Sequence, residues 1–294
     1  MNSTTSKGGA ESDQANSDFA AILRDEKVLV VGGGTMGSGI AQVLLAAGVE
    51  VHLSDVTEEA VAASRSRIST GLERMGELKR LDLLTVSASL PTSCDVGLAI
   101  ETVPEDEALK RQVLRSIERA TTSRTLIASN TSCISIEGLS RALSDPGRFF
   151  GMHFFNPVPR SSLIEIVTGS ALRSDVLEQA RVWVKLLGKE DIVVRDSPGF
   201  ATSRLGVIIG LEAIRMLEEN VASAEDIDRG MELGYRFPMG PLRLTDLVGL
   251  DVRLAIADKL APTLGDRFNA PELLREKVRA GDLGKKTGRG FFEW

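Results

Sequence analysis

The sequence is short of the residues that mark several functional classes. Only two cysteines occur, Cys94 and Cys133, in no metal-like spacing. This argues against a disulfide framework and a structural zinc site and suits a reducing compartment. Basic residues are outnumbered: 35 Lys and Arg against 41 Asp and Glu give a formal net charge of -6. No surplus remains to neutralise a run of phosphates, so nucleic acid and anionic membrane are not expected as partners. Apolar runs of membrane-spanning length are missing, and so are the basic and apolar regions of an export signal, which points to the cytoplasm. Histidine is scarce too, with His52 and His153 alone. What the chain does have is length and apolar content, 294 residues at 43% hydrophobic, enough for a sizeable core and two domains.

Residues 1–24 are rich in Ser, Thr, Gly, Asp and Asn and are expected to form a disordered tail, because they cannot offset their ordering entropy by burial. From Lys27 the pattern changes to an apolar run, Val28 to Val31, a glycine turn, a helical stretch to Ala47, and the alternating Val49, Val51 and Leu53 ending at Asp55. That is a βαβ unit. Further strands are predicted at Leu98 to Ile100, Leu126 to Ala128 and Phe149 to Phe154, with a helix over Ala108 to Ala120. Residues 25–196 are therefore predicted to form an α/β, Rossmann-type doubly wound sheet. Beyond Asp196 helical patterns take over, punctuated at Pro198-Gly199, Pro238 to Pro241 and Pro262, so residues 197–294 are predicted to form an all-α domain.

The turn Gly32-Gly33-Gly34-Thr35-Met36-Gly37 contains G-x-G-x-x-G between a predicted strand and a predicted helix, where glycines let backbone N–H groups approach a pyrophosphate. Asp55, about 20 residues on at the end of the second strand, can accept hydrogen bonds from an adenosine ribose and would repel a 2′-phosphate. The cofactor expected is NAD. His52 reads as a solvated residue on the polar side of its strand. His153 precedes a proline-marked reversal, Asn156-Pro157-Val158-Pro159, after which alternation resumes at Leu163 to Val167. A turn centred on Pro159 places His153 opposite Glu165. A neutral imidazole there could take a hydroxyl proton as hydride leaves the carbinol carbon, with the carboxylate orienting the ring. Spacing alone fits equally a half-buried histidine beside an incidental carboxylate.

These residues resemble the single-function 3-hydroxyacyl-CoA dehydrogenase family, including the bacterial 3-hydroxybutyryl-CoA dehydrogenases. The resemblance runs from about Lys27 to Trp294 and is carried by the glycine turn, Ser129-Asn130-Thr131-Ser132, His153-Phe154-Phe155-Asn156-Pro157, Pro198-Gly199-Phe200, Pro238-Met239-Gly240-Pro241 and the segment Gly284 to Phe291. It implies His153 as general base, Glu165 as its partner and Ser132 as a donor near the substrate oxygens and nicotinamide. It further implies that Glu105, Lys110, Asn130, Asn156 and Lys286 surround the NAD, that an acyl-CoA thioester is the substrate, and that the helical domain forms a homodimer over the cleft. Read without the resemblance, Glu105 and Lys110 are solvent-facing charges opening a helix, Lys286 is a tail lysine and Ser132 is a turn or cap.

Two departures stand out. Ser203 replaces the asparagine usual in the family beyond Pro-Gly-Phe, with a shorter reach toward the thioester or the histidine. The stretch from Thr57 to Glu101 is shorter than the family pattern, leaving Arg74, Lys79 and Arg80 as basic residues there. These departures keep open a hydroxyacyl group carried by an acyl carrier protein. A catalytically quiet NAD-binding relative is a further alternative, against which the intact His153 and Glu165 argue.

Overall fold

The computed structural model describes residues 26–294; the tail expected at residues 1–24 lies outside them. The chain divides into two units, the first ending at Asp196 and the second running Ser197–Trp294.

The first unit is built on strand β1 (Lys27–Val31), in which Val28 to Val31 are buried. Strands β4 (Leu98–Glu101), β5 (Leu126–Ser129) and β6 (Phe149–Phe154) are buried at every position. An unbroken apolar run is what a parallel strand covered on both faces requires. With β2 (Glu50–Ser54), β3 (Leu84–Ser87), β7 (Leu163–Thr168) and β8 (Glu190–Arg195) they form one sheet in the order β3-β2-β1-β4-β5-β6-β7-β8. All neighbours are parallel except β6 with β7. The chain winds from β1 outward through β2 and β3, then lays β4 on the other side of β1 and winds the opposite way. Such a reversal opens a crevice at the carboxyl ends of β1 and β4, where open α/β sheets hold their ligands.

The helices of this unit start differently. Helix α2 (Glu58–Arg74) is capped by Thr57, whose hydroxyl accepts from the Ala60 amide at 3.1 Å. Helix α3 (Glu107–Ala120) is capped by Asp106, which accepts from the Leu109 amide at 2.8 Å. Helix α1 (Thr35–Ala46) follows the glycine turn, and Gly34 at its cap position brings no side chain to its first amides. The short α4 (Ile136–Ser140) and the longer α5 (Ser174–Leu186) are the remaining α-helices of the unit among the described residues.

Strands β3 and β8 were not anticipated from the sequence. Beside β3, His52 is half-buried rather than solvated: its Nε2 lies 2.7 Å from the Ser87 hydroxyl, and burial pushes its pKa below the usual imidazole value.

The second unit contains α6 (Thr202–Glu218), α7 (Ala224–Gly234), α8 (Pro241–Val248), α9 (Leu250–Leu264) and α10 (Glu272–Ala280) around a core that includes Val207, Leu211, Leu242, Ala257 and Leu274. Pro241 occupies the first turn of α8, and buried Asp228 accepts from the Leu242 and Arg243 amides at 2.8 and 2.9 Å. Asp246, also buried, collects the Phe291 and Phe292 amides and the Trp294 indole N–H, fixing the chain end to α8. Among the described residues no helix is long and apolar enough to cross a membrane.

Candidate active site

The glycine turn leaves the carboxyl end of β1 and enters α1. Gly32 has φ of +102° and a Cβ on Gly37 would lie 1.8 Å from the Gly32 carbonyl oxygen, so the return of the helix onto the strand needs glycine at both places. Gly34 and Thr35 are exposed, Met36 is half-buried and Gly32, Gly33 and Gly37 are buried. A side chain at Gly34 would meet nothing within 4 Å, so the open side of the turn lies beside the uncapped first amides of α1. These amides and the positive end of the helix dipole form an anion cradle.

Asp55 has a second task that spacing did not show. Its Oδ2 accepts from the Gly33 amide at 2.7 Å and its Oδ1 from Val56 at 2.8 Å. The carboxylate therefore braces the turn and keeps further lone pairs for a diol. The same turn is held from beneath by residues that the sequence did not single out. Ser64 and Arg67 of α2 donate to the Gly33 carbonyl at 2.9 and 2.7 Å, and Thr102 donates to the Gly32 carbonyl at 2.6 Å.

At the ends of β4 and β5 an ionic network buries Lys110, expected to face solvent, while Glu105 at its rim is exposed. Lys110 is 1% exposed and Glu101 0%. The Lys110 ammonium donates to Glu101 Oε1 at 2.8 Å and to the Val103 carbonyl at 3.0 Å, and lies 3.4 Å from Glu105 Oε2. An ammonium has three donors, and these three oxygens account for them. Glu101 also accepts from the Ser129 hydroxyl at 2.6 Å and the Val103 amide at 2.7 Å.

Glu105 gathers the loop after β5. Its Oε1 accepts from the Thr131 hydroxyl at 2.5 Å and from the Ser132 and Cys133 amides at 3.1 and 3.2 Å. Burial would raise its pKa, but the Thr131 hydrogen bond, the Lys110 charge and the loop amides outweigh it and hold the carboxyl below its usual range. Ser132, half-buried, is thus placed by its backbone. Asn130 Oδ1 accepts from the Phe154 amide at 2.9 Å and ties the end of β5 to the residue after His153.

The β6–β7 hairpin has the register that a turn centred on Pro159 demands: His153 faces Glu165, flanked by Met152 with Ile166 and Phe154 with Ile164. His153 Nδ1 lies 2.7 Å from Glu165 Oε2, both side chains being buried, and the Phe155 ring packs at 4.6 Å between centroids. A carboxylate can only accept, so Nδ1 carries the proton and Nε2 of the neutral ring carries the lone pair. Buried Lys189 fixes the connection, donating to the Val158 carbonyl at 2.8 Å and to the Ser161 carbonyl. Asn156 is exposed in that connection. Because β1, β4, β5 and β6 are parallel neighbours about 4.8 Å apart, His153 lies roughly three strand spacings from the glycine turn along one edge of the sheet.

Two of the expected residues belong to the second unit. Ser203 is half-buried in the first turn of α6. Lys286 is no loose tail lysine, since its ammonium lies 2.6 Å from both oxygens of Asp251.

Known proteins match this arrangement over both units. Residues 27–197 fit the model of the 3-hydroxyacyl-CoA dehydrogenase NAD binding domain and residues 199–294 that of the 3-hydroxyacyl-CoA dehydrogenase C-terminal domain. The 3-hydroxybutyryl-CoA dehydrogenase of Mycobacterium tuberculosis is 42% identical over 284 residues, covering 92% of this chain and 98% of the relative. The mitochondrial hydroxyacyl-coenzyme A dehydrogenase of Rattus norvegicus is 37% identical, covering 91% and 90%. Among solved structures, the (S)-3-hydroxybutyryl-CoA dehydrogenase of Ralstonia eutropha superimposes with a TM-score of 0.85 at 36% identity, over 92% of this chain and 99% of that one. The chain belongs to the 3-hydroxyacyl-CoA dehydrogenase family, with the NAD-binding and C-terminal domains in the family's order.

Proposed function

We propose that this NAD-dependent 3-hydroxyacyl-CoA dehydrogenase oxidises the (3S)-hydroxyl of a short acyl-CoA such as 3-hydroxybutyryl-CoA, or runs the reverse reduction, with His153 as the general base. The observation that carries this reading is the 2.7 Å contact of His153 Nδ1 with Glu165, both buried. In the direction of oxidation Nε2 takes the hydroxyl proton, and the ionised Glu165 stabilises the imidazolium that results. Ser132 donates to the substrate oxygen from a loop that Glu105 holds still. NAD supplies the hydride acceptor when bound.

The residues present fit that cofactor. The uncapped start of α1 and the open side of Gly34 receive the pyrophosphate, and Asp55 receives the ribose. Glu105, Asn130 and Asn156 stand along the edge toward His153. Lys110 acts on the cofactor through Glu105, its own donors being committed. Lys286 and Ser203 are assigned here on family resemblance alone. A cytoplasmic location belongs to the same reading, supported by Cys94 and Cys133, which form no disulfide among the described residues.

NADH oxidation on acetoacetyl-CoA tests the substrate class, with acetoacetyl-acyl carrier protein and NADPH as comparisons. The CoA thioester with NADH is expected to give a kcat/KM at least about tenfold above either comparison, the equivalent of about 1.4 kcal/mol. Turnover confined to the carrier protein would overturn the assignment.

Self-association is part of the proposal. The second unit exposes Leu233 and Tyr235 at 70% and 75%, together with Leu247, Val248 and Val252, large apolar groups of the kind a partner surface covers. Light scattering of the purified 31.6 kDa chain is expected to give twice the monomer mass. A monomer mass would remove the dimer from the account.

A further inference from the structure

The connection between β6 and β7 is gripped from two sides. Val158 in its middle is 2% exposed, and on one side the carbonyls of Val158 and Ser161 accept from the buried Lys189 ammonium. The Arg160 and Ser161 amides close the turn itself, donating to the Pro157 carbonyl at 3.0 and 3.1 Å. On the other side stands α1, the helix whose first amides form the anion cradle. A Cβ on its Gly39 would lie 3.0 Å from Val158 Cβ and 3.1 Å from Val158 Cγ2. Glycine at this place is what lets the connection lie directly against the helix backbone.

Neither side of this contact yields freely. A methyl on Gly39 would meet the Cβ of Val158, an atom fixed by the backbone, and a β-branched side chain is stiff at χ1. Helix α1 is backed by the core through Ile40, Leu44 and Leu45, all 0% exposed, and close-packed interiors transmit strain. The same connection carries two groups of the site. Phe155 packs on the His153 ring at 4.6 Å between centroids, and Asn156 follows it. Strand β6 itself is tied down by the Phe154 amide, which donates to Asn130 Oδ1 at 2.9 Å. A displacement at Val158 therefore falls on Phe155 and Asn156.

We propose that Val158, seated on Gly39, is a positioning residue for the dehydrogenase reaction. It sets the spacing between the cofactor helix and the Phe155-Asn156 segment, and through Phe155 it sets the aim of the His153 ring. The proposal rests on the dehydrogenase reading and adds to it a direct contact, inside the first unit, between the helix that receives the pyrophosphate and the hairpin that holds the base.

Gly39→Ala, Val158→Ala and the double variant are compared with the wild type in three ways: kcat for acetoacetyl-CoA with NADH, calorimetric NAD binding, and proton–nitrogen spectra of the imidazoles. His52 and His153 are the histidines of the chain, and His52 on β2 serves as the internal reference. A misplacement of about 1 Å can cost about 100-fold, so the few tenths of an ångström demanded by Gly39→Ala are expected to cost about 5- to 20-fold in kcat. The dissociation constant for NAD is expected to change by less than about twofold, because the amides that begin α1 are untouched. The His153 resonances are expected to move and those of His52 to stay. In the double variant the lost valine methyls make room for the alanine, and kcat is expected to return to within about threefold of the wild type, with the His153 resonances moving back.

A double variant no more active than Gly39→Ala overturns the proposal, as does a Gly39→Ala enzyme with wild-type kcat and an unmoved His153 signal. A loss in NAD affinity as large as the loss in kcat overturns it too, by placing the effect in the cradle. Should Gly39→Ala fail to fold, Val158→Ala decides, and an unmoved His153 signal there counts against the proposal. Failure of the wild type to reduce acetoacetyl-CoA refutes the dehydrogenase reading, and the His153 resonances still decide whether Val158 positions the ring.

Discussion

Alanine at position 153 is expected to lower kcat for 3-hydroxyacyl-CoA oxidation by about 100- to 10,000-fold, the range that a positioned general base contributes. The dissociation constant for NAD should change by less than about twofold, since the glycine turn lies three strands away along the sheet edge and Asp55 four. His153 is buried on β6 between Met152 and Phe154, with its ring against Phe155. Its removal takes away the proton acceptor and leaves Glu165 buried without the imidazole N–H at 2.7 Å. Glutamine at 153 fills more of the space and restores no base, so it should be as inactive as alanine. Steady-state kinetics and calorimetric NAD titration on the two variants separate loss of chemistry from loss of fold.

The largest stability effect is expected from Lys110→Met. The lysine and its partner Glu101 are 1% and 0% exposed, and removing one member of a buried pair costs about 3–5 kcal/mol because the other charge is left stranded. Glu101 would keep its bonds from Ser129 and the Val103 amide but lose its counter-ion. Pairing Lys110→Met with Glu101→Gln removes the stranded charge and should recover more than half of the loss, read by urea denaturation. The single variant also withdraws the cation 3.4 Å from Glu105, so the Thr131 to Cys133 loop should exchange its amides faster. Equal losses in the single and double variants would refute this description of the network.

How much of this was legible in the sequence depended on whether a pattern could speak for itself. The β6–β7 register was readable because two alternating apolar runs flank a proline-marked reversal, and a period of two fixes which residues face each other. The glycine turn and Asp55 were readable because strand, turn, helix and acid come at fixed offsets. Strand β8 was missed because Glu190, Asp191 and Arg195 surround only three apolar residues at an edge of the sheet, where charge is common. Strand β3 is the other edge and only four residues long. With β3 unseen, the Ser87 partner of His52 was unseen as well.

The buried network was hidden for a different reason. Lys110 looks like any charged residue near a helix start, and its burial depends on Glu101, which is 0% exposed at the end of β4. A carboxylate ending an apolar strand, with a lysine nine residues on, was the available signal. Arg67 and Ser64 brace the Gly33 carbonyl from α2 across 34 and 31 residues, a distance that no local pattern encodes.

The central claim is that Glu165 acts through His153, and a double-mutant cycle on kcat tests it most directly. Glu165→Gln is made in the wild type and in His153→Ala, and single-turnover oxidation of 3-hydroxybutyryl-CoA is followed by NADH absorbance. The account predicts a loss of at least about tenfold in the wild-type background, from weaker stabilisation of the imidazolium, and less than about twofold in the alanine background. The same factor in both backgrounds would show Glu165 working independently of the histidine and would contradict the account.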